Sequence, residues 1–291
     1  MHEALILCRF VHFGTVLLLF GISVLHPTLL RSSLEALGKS PLALRVDHCK
    51  VWLAAVALLS ALVWLMLTGA SMAGEWRDAV DLDTLTLVLG NTFFGHVWSL
   101  HLVCNLLVLI ATVKAQHFSR VLQTALIGLL LFTLAPVGHG AMFDGVRGQL
   151  LILNQIIHLC GVGTWLGGLL MLTMVLATPQ GIDRRQALLR FSGIGYVLVA
   201  TIVVTGLINV RALSGAFWPE PAFSGFGLVL AIKAGLVLAM LMLAAVNRTL
   251  AHANTPNFAA LKTSVLFECL FGAAALAAVS LLGTLPPMLM D

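Results

Sequence analysis

Residues 150–177 read LLILNQIIHLCGVGTWLGGLLMLTMVLA, an unbroken stretch without a single Asp, Glu, Lys or Arg. An α-helix needs roughly 20 apolar residues to cross the hydrocarbon core of a bilayer, so this stretch predicts a membrane span. Seven further windows of the same kind run from 4–25, 50–71, 94–113, 121–138, 191–211, 226–247 and 264–285. Together they predict an all-α membrane protein, a bundle of eight transmembrane helices in one polytopic domain covering residues 1–291. The composition agrees, with 60% hydrophobic and 10% charged residues against about 45–50% and about 25% in soluble proteins. The lipid bilayer is thus the first partner of the chain.

The connections are short. The longest are 26–49 and 72–93, and in the second Leu82, Leu85, Val88 and Leu89 are spaced for a short helix lying on the membrane surface. The first window has no basic segment ahead of it, holds Arg9 and His12 inside it and is followed by no small-residue cleavage site. It reads as a mature helix and not as a signal peptide.

The formal net charge is +4, and its distribution reflects orientation, with no nucleic-acid partner implied. Arg31, Lys39, Arg45, Lys50, Lys114, Arg120, Arg184, Arg185, Arg190, Arg248 and Lys262 fall in alternate connections, whereas the other set holds only Arg77, Arg147 and Arg211. Cytoplasmic loops are enriched in Lys and Arg, so the first set is cytoplasmic and both termini face outward. The five cysteines, Cys8, Cys49, Cys104, Cys160 and Cys269, have no CxxC spacing and read mainly as small packing residues.

Ionisable groups inside a membrane are costly and mark function by default. With helices rising about 1.5 Å per residue, Arg9 and His12 lie roughly 8–12 Å below the outer surface, His101 roughly 10 Å and His158 roughly 12 Å. His139, between Gly138 and Gly140, sits at the outer mouth of the fourth span, with His96 near the same surface. Asn154 shares a helix face with His158 at i, i+4, and Asn209 and Lys233 fall in the same outer layer. Histidines at similar depth on three helices, with a fourth above them, point to a site between helices. Neutral imidazole is also the metal-binding form. Soft donors are at hand in Cys8, four residues before His12, in Cys104, in Met142 and in the tail methionines Met288 and Met290; thiolate and thioether favour Cu(I). Arg9 and Lys233 oppose a simple cation site unless they pair with Asp144 or Glu220 or the cavity holds an anion. Glu268 stands roughly 6 Å inside the cytoplasmic end of the last span. Trp165 is mid-span, and the glycine run 161–168 predicts close approach by another helix.

These residues carry a family likeness. Arg9-Phe10-Val11-His12, Phe94-Gly95-His96-Val97-Trp98, Gly138-His139-Gly140, Asn154-Gln155-Ile156-Ile157-His158, Trp165-Leu166-Gly167-Gly168, Arg190-Phe191-Ser192, Thr205-Gly206-Leu207-Ile208-Asn209, Lys233, Asn247-Arg248 and Glu268 follow in order along the chain. The sequence resembles the copper resistance protein D family (CopD, PcoD) of bacterial inner membranes. The resemblance implies an eight-helix inner-membrane protein, with both termini on the periplasmic side, that handles copper ions (as Cu(I) or Cu(II)) and moves them from periplasm toward cytoplasm, beside a periplasmic CopC-like copper-binding partner. It assigns Arg9, His12, His139, Asn154, His158, Trp165, Lys233 and Glu268 to the family motif, while His96 and His101 depart from it. The expected ligands are His12, His139 and His158, with His101, Met142 and Cys8 as additions. Arg9, Asn154, Trp165, Lys233 and Glu268 form the expected transport pathway. No residue has a catalytic role and the chain is not read as an enzyme. The rival reading is a b-type haem protein passing electrons, since histidines on neighbouring membrane helices also ligate haem.

Overall fold

The computed structural model describes residues 1–29, 40–137, 143–178, 183–220, 223–253 and 255–284. Nine α-helices occur among the described residues: α1 (His2–Leu29), α2 (Pro41–Ala73), α3 (Leu82–Asn91), α4 (Phe93–Val113), α5 (Arg120–Phe132), α6 (Gly145–Ala177), α7 (Arg184–Ser214), α8 (Gly225–His252) and α9 (Phe258–Leu282). All but α3 are long and apolar enough to cross a membrane, the fourth span being counted through the 3-10 turn to Val137.

Local chemistry sets the ends. Ser40 accepts from the Ala43 N–H ahead of Pro41, and Gly74 closes α2 in the left-handed region at φ 93°, the usual division of labour between N-cap hydroxyl, early proline and terminal glycine. Asp81 caps α3 by accepting from the Thr84 hydroxyl and N–H at 2.6 and 2.8 Å, and these bonds hold its carboxyl below the usual range. The window 121–138 is not one continuous helix: α5 stops at Phe132 and a 3-10 turn spans Ala135–Val137. Pro136 is the cause, since it lacks an N–H and its ring clashes with the carbonyl four residues back.

The eight spans form two four-helix rings. In the first, α1 packs on α2, α2 on α4, α4 on α5 and α5 back on α1; in the second, α6 packs on α7, α7 on α8, α8 on α9 and α9 back on α6. The rings join through α1, which lies along α6 and α9. The closest approach is glycine on glycine. A Cβ at Gly21 would strike the Gly163 carbonyl, and one at Gly167 would strike the Gly21 backbone. The glycine run therefore admits α1, as small residues do at membrane helix crossings.

Cations cap helix ends at the side predicted to be cytoplasmic. Arg190 donates to the Thr28 and Leu29 carbonyls at the end of α1, and Arg185 to the Ala251 carbonyl at the end of α8, where the helix dipole favours positive charge. Arg31 and Lys39 of the same predicted set lie outside the described residues. The short helix expected between 82 and 89 is α3; it packs on α4, with Val88 buried and Leu82 and Leu87 exposed.

Candidate functional site

One polar chain crosses the interior of the first ring, and each of its four helices contributes one side chain. Ser60 of α2 meets His12 Nδ1 at 2.9 Å, His12 Nε2 meets His101 Nε2 of α4 at 2.8 Å, and His101 Nδ1 meets Thr133, at the end of α5, at 2.7 Å. Both imidazoles are fully buried.

Each hydroxyl also lies within hydrogen-bond distance of a carbonyl of its own helix, Ser60 of Val56 at 2.6 Å and Thr133 of Leu130 at 2.7 Å. A neutral imidazole carries its hydrogen on one nitrogen and a lone pair on the other. The chain closes when one Nε2–H donates to the other Nε2: the donating ring's Nδ1 then accepts from its hydroxyl, and the other ring's Nδ1 donates to its own. Each imidazole is thus held from behind by a hydroxyl, the kind of partner that orients a histidine ring.

The surroundings are dry and aromatic. The His12 ring lies edge-on to Trp64 at 5.6 Å and tilted to Trp98 at 5.7 Å, while Trp98 stacks on His101 at 4.5 Å. Trp98 is anchored by donating to the Ala61 carbonyl at 3.0 Å. Cys8 is close in sequence to the pair, but its thiol donates to the Ser60 carbonyl at 3.3 Å. Arg9 reaches the other way, its guanidinium 5.0 Å from the Trp64 ring centroid and filling the space above Gly283, where a Cβ would collide with it.

The second ring is hollow. A cavity of about 250 Å³ between α1, α6, α7, α8 and α9 is lined by Arg9, Gln155, His158, Asn209 and Lys233 amid apolar side chains. His158 Nδ1 meets the Thr205 hydroxyl at 2.8 Å, and Asn154 donates to the Thr205 carbonyl and to Asn209 Oδ1 at 3.0 and 2.8 Å. A second cavity of about 420 Å³ at the opposite end contains Glu268, Asn247, Ser192 and Arg248. Trp165, Val199 and Leu241 line both cavities and form the wall between them. Glu268 is buried and accepts from the Asn247 amide, so the carboxylate that looks isolated in the sequence has a partner on the neighbouring helix. Trp165 keeps an unpartnered indole N–H.

The expected ligands therefore separate. His12 and His101 meet in the first ring, and His158 lines the cavity of the second. His139, Met142, Met288 and Met290 lie outside the described residues. Among the described residues no group of three or more His, Cys, Asp or Glu is close enough to hold a metal ion. His96 donates from or accepts at Nε2 against the Gly90 carbonyl at 2.9 Å; since a carbonyl only accepts, the imidazole is the donor and caps the end of α3. Asp144 and Glu220, offered by the sequence as partners of Arg9 and Lys233, are exposed and line neither cavity. Ser60 and Thr133 carry no distinguishing sequence signal, because a hydroxyl in an apolar helix most often bonds only its own backbone, whereas Thr205 opens one of the segments that carry the family likeness.

The comparisons with known proteins follow the two rings. Residues 1–149 match the family model of the copper resistance protein D-like N-terminal domain, and residues 185–282 match that of copper resistance protein D. The chain is 30% identical to the inner membrane protein YebZ of Escherichia coli (strain K12), over 96% of this chain and 97% of that protein. It is 28% identical to copper resistance protein D of Pseudomonas syringae pv. tomato over 82% and 79% of the two chains. Against the copper transport protein CutJ of Bacillus subtilis (strain 168) the identity is 26%, over 67% of this chain and 38% of that protein. No solved structure matches the chain. Eight apolar spans and kinship with an inner membrane protein make this a multi-pass protein of the inner membrane. With the first family model ending at the close of the first ring and the second covering α7 to α9, the chain belongs to the copper resistance protein D family.

Proposed function

We propose that the chain carries copper across the inner membrane from the periplasm toward the cytoplasm, and that the His12–His101 pair holds the ion on the way. The observation that supports this is the approach of the two Nε2 atoms to 2.8 Å, with each ring held at Nδ1 by a hydroxyl. Without metal, one Nε2–H donates to the other Nε2. Cu(I) is a soft, closed-shell monovalent ion that accepts two ligands in line, and imidazole suits copper. Metal–nitrogen bonds of about 2 Å each need the two nitrogens near 4 Å apart, so loading parts the rings by about 1 Å, and the hydrogen between them moves to Nδ1 of the ring that carried it, where the hydroxyl accepts it.

The orientation follows from charge. The end with Arg185, Arg190 and Arg248 is cytoplasmic by the positive-inside rule, which puts the histidine pair in the outer half, where a periplasmic CopC-like protein delivers the ion. Glu268 then acts as the inner-side relay. The chain is a carrier and not an enzyme. A b-type haem held by two facing imidazoles requires a porphyrin plane between them, and Trp64 and Trp98 occupy the space around this pair.

The test is uptake by proteoliposomes supplied with Cu(I) or Cu(II), with and without a proton gradient. Cu(I) uptake that is reduced at least tenfold by His101→Ala is the expected result. Uptake that is indifferent to His101→Ala, or a Soret band in the visible spectrum of the purified protein, contradicts the reading.

A further inference from the structure

The cavity of the second ring poses a problem that copper does not solve. Arg9 and Lys233 both line it, and among the described residues no Asp or Glu does. The only ion pairs among the described residues join Arg77 to Glu75 and Asp78, at the loop between α2 and α3. Arg9 has the Trp64 ring under its guanidinium but keeps a buried Nε–H without an acceptor. Lys233 lies within electrostatic reach of His158 and has no hydrogen-bond partner among the described residues. Two uncompensated cations facing one low-dielectric space repel each other and any metal ion brought beside them. An uncompensated buried charge is costly, and the natural remedy is an anion.

The rest of the lining says what carries that anion. Apart from Gln155, His158, Asn209 and the two cations, the walls are almost entirely apolar, with Phe13, Leu166, Ile202, Phe226, Leu230 and Leu276 among them. The space is not sealed from the bilayer. The window of α8 is the least buried of the eight spans, and that of α7 is next. Val203, a wall residue of the cavity on α7, is 41% exposed. A ligand can therefore enter sideways between α7 and α8, head first toward the cations, leaving its apolar body against the walls.

We propose that this cavity binds an acidic amphiphile, with a phosphate or carboxylate head held between Arg9 and Lys233 and a hydrocarbon tail along α7 and α8. The site is separate from the His12–His101 pair and does not depend on copper binding there.

The test uses the full chain purified in a mild non-ionic detergent and titrated by native mass spectrometry with 1-oleoyl-lysophosphatidate, oleate, the neutral monoolein and inorganic phosphate. At least one of the acidic amphiphiles is expected to bind ten times more tightly than monoolein, and Lys233→Gln and Arg9→Gln are each expected to weaken it at least tenfold. Inorganic phosphate alone should bind at least tenfold more weakly than lysophosphatidate; equal binding would overturn the amphiphile in favour of a soluble anion. Equal binding of monoolein, or no effect of either substitution, overturns the anion site itself. Lys233→Met supplies a measurement independent of binding: with its uncompensated charge gone, the ligand-free protein should melt higher than the wild type, and lysophosphatidate should no longer raise the melting temperature. A lower melting temperature that lysophosphatidate still raises would contradict the proposal. His101→Ala, which removes a proposed copper ligand outside this cavity, is expected to leave lysophosphatidate binding unchanged, so failure of the copper reading and failure of this one are distinguishable.

Discussion

The two four-helix rings solve the same problem, polar groups in an apolar medium, in opposite ways. In the first, Ser60, His12, His101 and Thr133 form a closed chain of hydrogen bonds with the two imidazoles at its centre. Tryptophans fill the space around it. In the second ring Arg9 and Lys233 face a hollow lined by no carboxylate among the described residues, and a wall of Trp165, Val199 and Leu241 divides that hollow from a second one around Glu268. The lesson is that intramembrane charge and an intramembrane hydrogen-bonded network are separate features: a packed, satisfied network fixes the direction of its side chains, whereas an unsatisfied cavity selects a ligand by charge and shape.

The contrast can be broken most severely at the seam between the rings. Gly167→Val drives a side chain into the Gly21 backbone, and overpacking of this kind costs about 1–3 kcal/mol or more. Unfolding of the detergent-solubilised protein should show that loss, and the two rings should separate into two transitions; a single transition at the wild-type midpoint would mean that α1 does not join them as described. A finer cut is Thr133→Val, which keeps the shape of the side chain and removes the hydroxyl that His101 Nδ1 bonds. Leaving a buried polar group unpaired costs about 1–3 kcal/mol. Copper affinity should fall with stability because the His101 ring loses the partner that orients it; affinity unchanged beside lowered stability would make the threonine a packing residue only. The smallest effect is expected from His96→Gln, which alters only the cap on α3. Stability should change by no more than about 0.5 kcal/mol and copper content not at all, whereas copper loss there would move the site toward the outer surface.

Much of this fold is legible in the residues. A stretch such as 150–177 has no alternative to a membrane helix, the cation asymmetry orders the connections, and the glycines from 161 to 168 announce a close neighbour without naming α1. The interruption at Pro136 is equally visible, although length alone reads through it. The site was legible only in part. Depth along a helix places His12, His101 and His158 in one layer, but depth says nothing about which way each side chain faces, and the pairing of His12 with His101 rather than with His158 depends on which helices are neighbours. Ser60 and Thr133 could not be chosen from the other hydroxyls in apolar segments, since their importance lies in which histidine of a neighbouring helix each one meets. Glu268 looked isolated because its partner Asn247 is on the preceding span.

The central claim, that two imidazoles alone hold copper in the first ring, is tested most directly by X-ray absorption of the purified protein loaded with Cu(I). The spectrum should show two nitrogen neighbours in a linear arrangement and no sulfur, and His101→Ala should abolish the bound copper. A sulfur neighbour from Cys8 or a methionine, or full copper occupancy in His101→Ala, would contradict it.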